Sequence, residues 1–247
     1  MSKLPCLAKI YDEINRFEIG IDEAGRGPLF GRLYVAAAVL PKDNTFQHEK
    51  MRDSKTIKSR KKIQELAQYI KENAIAWHIH YVDAIVIDTI NIRQAVLMAM
   101  HECAKQVIAQ LQSIQIDEPA SENPPIYERE YMLLVDGNDF TPHIIYDETL
   151  QSLREIPHET VEGGDNKYTC IAAASILAKN ERDTYMEELC NTYPILNEKY
   201  GLAKNMGYGT KMHRDGIAQY GITQWHRKTY GICKIADIKI IQEEAFP

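Results

Sequence analysis

Residues 17–23, "FEIGIDE", carry apolar positions up to two adjacent carboxylates, which predicts a strand with its acids at the C-terminal end. Residues 32–40, "RLYVAAAVL", hold β-branched and small side chains with no charged helical face, and predict a second strand. The glycine-rich link between them reads as a hairpin. In residues 57–73, Ile63, Leu66, Ala67 and Ile70 recur at three and four positions, the spacing of an amphipathic helix. Residues 74–82, "AIAWHIHYV", alternate as a strand does, and residues 91–112 form a long helical pattern with Asn91 as its N-cap candidate. Residues 113–130 break the pattern with three prolines and five acids, and read as an exposed loop or insertion. Beyond it come a buried strand at 131–138 ending in an acid and a turn, and a short strand within 156–165 ending at Gly163-Gly164. Helices are predicted over 168–193 and 211–221. Strands and helices mix without strict alternation or internal repeat, so the expected class is α/β with a partly antiparallel sheet.

Composition narrows this. The chain has 247 residues, of which 45% are hydrophobic, enough for a substantial core. No stretch approaches the roughly 18 apolar residues of a membrane span, and "MSKLPCLAKIYDEINRF" lacks a secretory apolar region. Five scattered cysteines without a C-x-x-C read as reduced thiols in a cytoplasmic protein, with neither a disulfide framework nor a zinc site. The net charge of −6 argues against a nonspecific nucleic-acid coat, but it leaves a nuclease open, because clustered metal-binding acids lower the sum.

Four acids stand out. Asp22, Glu23, Asp136 and Asp165 each sit at or just past a predicted strand end, where α/β sites gather. They read either as turn and cap residues or as hard oxygen ligands for Mg²⁺ or Mn²⁺; two such ions serve phosphodiester displacement. Gly25-Arg26-Gly27 is either an ordinary glycine hairpin or a turn that grips phosphate or sugar. Its spacing to Gly31 is one residue too long for the dinucleotide fingerprint. Residues 53–62 hold five basic residues in ten, and residues 199–228 interleave basic side chains with Tyr208 and Trp225. Both patterns suit nucleic acid; the alternatives are a solvated basic face for the first and an ordinary mixed surface with core aromatics for the second. The histidines show no metal-ligand spacing, and Arg182-Asp183 reads as a surface or packing pair.

The blocks "GIDEAGRGPLFG", "DSK", "LLVDGN", "GGDNKYTCIAAASILAKNERD" and "GYGTKMH", in this order over roughly residues 17–230, resemble the ribonuclease HII (type 2 ribonuclease H) family. Arg26 favours type 2 over the type 3 relatives. The resemblance implies a ribonuclease H-like fold: a five-stranded mixed sheet flanked by helices, with a C-terminal helical extension. Residues 1–16 would then be an N-terminal extension, 17–231 the catalytic domain with insertion 113–130, and 232–247 a tail. It implies two-metal cleavage of RNA in RNA–DNA hybrids and at single ribonucleotides in duplex DNA, by a monomer. By the same resemblance Asp22, Glu23, Asp136 and Asp165 are the catalytic, metal-holding acids. Gly25, Arg26 and Gly27 sense the ribose 2′-OH, Tyr208 stacks on the sugar, and Ser54 and Lys55 lie near substrate. The chain departs from the family at "VEGGD", where Glu162-Gly163 stands in place of a basic residue, and at the acidic 113–130 segment. The C-terminal "IIQEEAF" is similar to a sliding-clamp-binding tail but lacks the paired aromatics. Two rivals are a silent nucleic-acid-binding module, which would lack some of the four acids, and a ribonuclease H-like DNA nuclease, which would need no ribose sensor.

Overall fold

A computed structural model describes residues 7–117, 129–147 and 151–241. In chain order the elements are β1 (Asn15–Ala24), β2 (Leu33–Val39), α1 (Arg60–Asn73), β3 (Ala76–Val82), α2 (Ala84–Ile90), α3 (Ile92–Asp117) and β4 (Arg129–Asp136). There follow β5 (His143–Asp147), β6 (Ser152–Ile156), β7 (His158–Val161), α4 (Thr169–Thr192), α5 (Pro194–Tyr200), α6 (Leu202–Asn205) and α7 (Lys211–Tyr220). The chain divides into two compact units. The first comprises Met1–Ala24, Val35–His80 and Leu97–Asn180; the second comprises Gly25–Tyr34, Tyr81–Val96 and Glu181–Pro247.

The strands form a mixed five-stranded sheet in the order β3-β2-β1-β4-β7, as the resemblance implies. β1 runs parallel to β4, with Ile19 opposite Leu133 and Ile21 opposite Val135; β4 runs parallel to β7, with Asp136 opposite Val161. Parallel strands are covered on both faces, which is why they read as continuous apolar runs. Ile19, Ile21, Leu133, Leu134 and Val135 are all fully buried. The parallel register delivers the C-terminal ends of β1 and β4 to the same edge, and with them Asp22, Glu23 and Asp136.

Helix α4 lies directly on β1. A Cβ at Gly20 would come within 2.2 Å of the Cys170 carbonyl carbon and 2.5 Å of the Ile171 nitrogen. Only hydrogen fits between these two backbones. The small-residue run Ala172, Ala173, Ala174 continues the close approach and is fully buried. In the second unit the core is Phe30 with Met186, Leu196, Tyr200, Leu202, Ile217 and Ile222, on which α5, α6 and α7 close.

Several expectations are refined. The helix expected over 57–73 begins at Arg60, where the Ser59 hydroxyl accepts the Lys62 amide at 3.3 Å. Asn91 caps as expected, its Oδ1 accepting the Gln94 amide at 3.1 Å. It does so at φ +66, as the break between α3 and an unforeseen short helix, α2. The antiparallel β5–β6 hairpin was also not legible, because most of its residues are exposed and show no buried face. α3 continues to Asp117, into the expected loop at 113–130, of which residues 118–128 lie outside the described residues. Cys103, Cys170, Cys190 and Cys233 are free and buried, and burial pushes the Cys103 and Cys170 thiols up to about 12. Among the described residues no helix is long and apolar enough to cross a membrane. The tail "IIQEEAF" falls largely on residues 242–247, outside the described residues.

The contact at Gly20 generates a stability prediction. Gly20→Ala should cost about 3 kcal/mol, since relief requires moving helix backbone. Urea denaturation should show a lowered midpoint; an unchanged midpoint would contradict this packing.

Candidate active site

The four acids all belong to the first unit. Asp22 is 3% exposed, and its Oδ1 accepts the Glu23 amide at 2.7 Å. Burial, then the neighbouring Glu23 and Asp136 charges, push its carboxyl well above the ordinary range; a hydrogen bond with Ser175 and the Glu23 amide work the other way. Asp136 ends β4, and its Oδ1 accepts the Gly164 amide at 2.7 Å. Asp165 sits past β7 on a single 3-10 turn, Gly164–Asn166, and is 2% exposed. Burial raises its pKa, Lys55 opposes the rise, and Asp53 and Asp136 add to it. Glycine suits the entry to this turn: Gly163 has φ +62, and a Cβ at Gly164, its first residue, would press on the end of the Ile171 side chain at 2.6 Å.

Lys55 is the cation of this cluster. Its Nζ donates to Asp165 Oδ2 at 3.5 Å from an otherwise exposed side chain. A positive charge therefore stands beside Asp165 although Glu162-Gly163 precedes it. Glu162 itself is exposed and accepts from Asn138 Nδ2 at 3.2 Å. Ser54 is buried, its hydroxyl 2.9 Å from that of Ser175, so it stands behind Ser175 and Asp22.

Asp22 is electrostatically coupled to Glu23 and Asp136, and Asp165 to Asp136. Among the described residues, however, no three acidic, histidine or cysteine side chains converge closely enough to ligate one metal ion. Like charges spread, and here the carboxylates turn to local donors: the amides of Glu23 and Gly164, the Asn166 side chain and Lys55. The donor set nevertheless fits a hard divalent cation: it is all carboxylate oxygen, and the burial and like-charge repulsion that raise the proton affinity of Asp22 and Asp165 are what a cation would relieve.

Gly25-Arg26-Gly27 and Tyr208 belong to the second unit. Gly25 has φ +95, and a Cβ there would lie 2.6 Å from Arg182 Nε. Arg26 and Gly27 are exposed. Tyr208 is 49% exposed, and its ring Cε1 is 3.9 Å from where a Gly27 Cβ would be. Turn and ring thus share one surface. The buried Arg182 guanidinium lies 5.4 Å from the Tyr208 ring centroid and donates to the Met206 carbonyl. Asp183 is buried beside it at 3.8 Å, a packing pair and not a surface one. Trp225 is half-buried and packs on Phe30 and Tyr193 at the edge of the core, whereas Tyr208 is exposed.

A family model described as Ribonuclease HII matches residues 19–232. The chain belongs to the ribonuclease HII family. It is therefore a ribonuclease H enzyme, and the family's activity is endonucleolytic cleavage of RNA in RNA–DNA hybrids. The Ribonuclease HII of Parabacteroides distasonis is 43% identical over 220 residues, 89% of this chain and 92% of that one. Among solved structures, the ribonuclease HII of Archaeoglobus fulgidus, determined with PCNA, superposes with TM-score 0.59 at 22% identity, covering 87% of this chain and 95% of that one. A ribonuclease HIII, Bst-RNase HIII with Mn²⁺, superposes with TM-score 0.52 at 17% identity, over 88% of this chain and 71% of that one.

Four groups escaped the sequence reading. Ser175 is the one polar residue in an apolar stretch of α4, and that contrast was its signal. Arg227 is fully buried, yet in "HRK" nothing separates it from Lys228. His213 and His226, dismissed for want of ligand spacing, stand Nε2 to Nε2 at 3.1 Å, both buried. His226 Nδ1 accepts the Thr223 amide at 2.9 Å, so its proton sits on Nε2 and is donated to His213. His213 then donates from Nδ1 to the Tyr208 carbonyl at 3.0 Å.

Burial, with His213 alongside, lowers the His226 pKa from 6.5 to about 3. Between these values the unfolded chain holds a proton that the folded chain refuses, so this contribution to stability is complete above pH 6.5 and lost as pH falls. The loss amounts to about 1.4 kcal/mol per pH unit. His226→Gln should flatten the pH dependence of unfolding free energy below pH 6.5 by about one proton; an unchanged slope would contradict the buried neutral imidazole.

Proposed function

We propose that the chain is a cytoplasmic, monomeric endoribonuclease, with residues 17–231 as its catalytic domain. Its substrates are RNA–DNA hybrids and duplex DNA carrying a single ribonucleotide. The observation that carries the reading is the buried Asp22 carboxyl, whose proton affinity is raised by burial and by the neighbouring Glu23 and Asp136 charges, a repulsion that a bound cation would relieve. Family membership supplies the reaction. The free thiols of the described cysteines suit a reducing compartment.

In this reading Asp22, Glu23, Asp136 and Asp165 hold two Mg²⁺ or Mn²⁺ ions. Such ions, when bound, lower the pKa of the attacking water and neutralise charge developing on the phosphate and the leaving 3′-oxygen. The chain's own residues do the positioning. Ser175, backed by Ser54, steadies the Asp22 carboxylate, and the Gly164 amide fixes one oxygen of Asp136. Lys55 offers an ammonium to Asp165 or to a substrate phosphate, and its exposed stem lets it change partner. Cleavage on the 5′ side of the ribonucleotide's phosphate link leaves 5′-phosphate and 3′-hydroxyl ends.

Selectivity falls to Gly25, Arg26, Gly27 and Tyr208. The 2′-OH is the group that distinguishes RNA from DNA at one position. A glycine turn admits a close backbone approach to it, and an exposed aromatic face offers a stacking platform for the sugar. The A. fulgidus structure was solved with PCNA; for this chain a sliding-clamp contact through "IIQEEAF" rests on that likeness alone.

Incubation with Mg²⁺ or Mn²⁺ and a duplex bearing one ribonucleotide, beside an all-DNA control, tests the reading. Cutting confined to the ribonucleotide is expected. No cut would sink the proposal, and equal cutting of both duplexes would favour a DNA nuclease. Asp136→Asn should reduce cleavage to background while weakening duplex binding much less.

A further inference from the structure

Arg227 carries its charge in a fully buried position, where it needs hydrogen-bond partners on every side. Burial lowers its pKa from the usual arginine value. Its partners are backbone carbonyls of the proposed ribose-sensing turn. Nη2 donates to Gly25 O at 2.6 Å, Nη1 to Arg26 O at 3.0 Å and Nε to Gly31 O at 3.1 Å. The Tyr230 hydroxyl adds a second bond to Arg26 O at 3.2 Å. These peptide bonds are trans. In a planar trans peptide the N–H points opposite to the C=O. Drawing the Gly25 and Arg26 carbonyls toward one guanidinium therefore turns the N–H groups of Arg26 and Gly27 the other way.

The neighbouring residue holds the other half of the same surface. Through the neutral chain Thr223 to His226 to His213, a directed series of N–H donors ends on the Tyr208 carbonyl. The backbones are tied as well. Leu29 N donates to Gly207 O, Arg227 N to Leu29 O and Gly31 N to Trp225 O, each at 2.8–2.9 Å. We propose that His226 and Arg227 are positioning residues that jointly shape the ribose-reading surface: Arg227 aims the turn's amides, and His226, through His213, seats Tyr208. The inference rests on the ribose-sensing assignment of Gly25-Arg26-Gly27 and Tyr208.

The test measures discrimination, not overall affinity. In an Asp136→Asn background, fluorescence anisotropy gives the affinity for a duplex with one ribonucleotide and for its all-DNA counterpart. Arg227→Lys keeps the charge but not the fork, and should lower the ribo-to-deoxy affinity ratio about tenfold with all-DNA binding unchanged. Tyr230→Phe, at a partly exposed hydroxyl, should lower the ratio about twofold to threefold and serves if Arg227→Lys does not fold. His226→Gln, which keeps a donor toward His213, should preserve the ratio, whereas His226→Leu should lower it. An unchanged ratio in folded Arg227→Lys or in Tyr230→Phe, or equal ratios for the two His226 variants, overturns the inference while leaving the ribose-sensing reading intact. A background protein that shows no discrimination at all overturns both.

Discussion

In the first unit α4 meets β1 backbone on backbone at Gly20. No side chain separates them, so the helix position is set by the strand and not by a compressible layer of methyl groups. Two consequences reach the acids. Asp22, two residues along β1, is placed by the strand, and Ser175, one turn and a half along α4, is placed by the helix. Their hydrogen bond exists because the contact at Gly20 fixes the distance between the elements that carry them. The parallel register of β1 and β4 then brings Asp136 to the same sheet edge.

Each unit conceals charge, and each solves the cost of burial differently. Around Asp22 the charges are alike, and the protein tolerates them by raising the proton affinity of Asp22 and Asp165 and bringing Lys55 to Asp165. Around Arg227 the charge is permanent and is opposed further by the buried Arg182 cation, and carbonyl dipoles stabilise it. The first arrangement stores a demand for cations. The second stores backbone conformation. A buried arginine partnered by carbonyls says little about net stability, but it says much about which way those peptides face.

The strands and long helices were legible because burial on both faces, or at helical spacing, writes itself into the order of apolar residues. β1, β2, β3, β4, α4 and α7 were all expected within a few residues. The β5–β6 hairpin was not, because a ribbon with exposed faces imposes no such order, and α2 falls in the short stretch between the expected strand and the long helix, to which no element was assigned. Among site residues, the acids and Gly25-Arg26-Gly27 were visible as chemical oddities at strand ends. Arg227, His213 and His226 were invisible because their importance is a matter of environment. Nothing in "WHRKTY" records that two of its basic groups are sealed inside, one neutral and one clasped by carbonyls. Trp225 was open to both readings, nucleic-acid contact or core aromatic, and its packing on Phe30 and Tyr193 favours the second.

The clasp on the glycine turn has a bearing on ionic strength. Contacts between exposed lysines and phosphates weaken steeply as salt rises, because binding releases counterions. Bonds from a fully buried guanidinium to carbonyls lie beyond the reach of that screening. In the reading proposed above, a surface whose shape is set from within in this way would let grip on the duplex loosen with salt while the discrimination of ribose from deoxyribose changes much less.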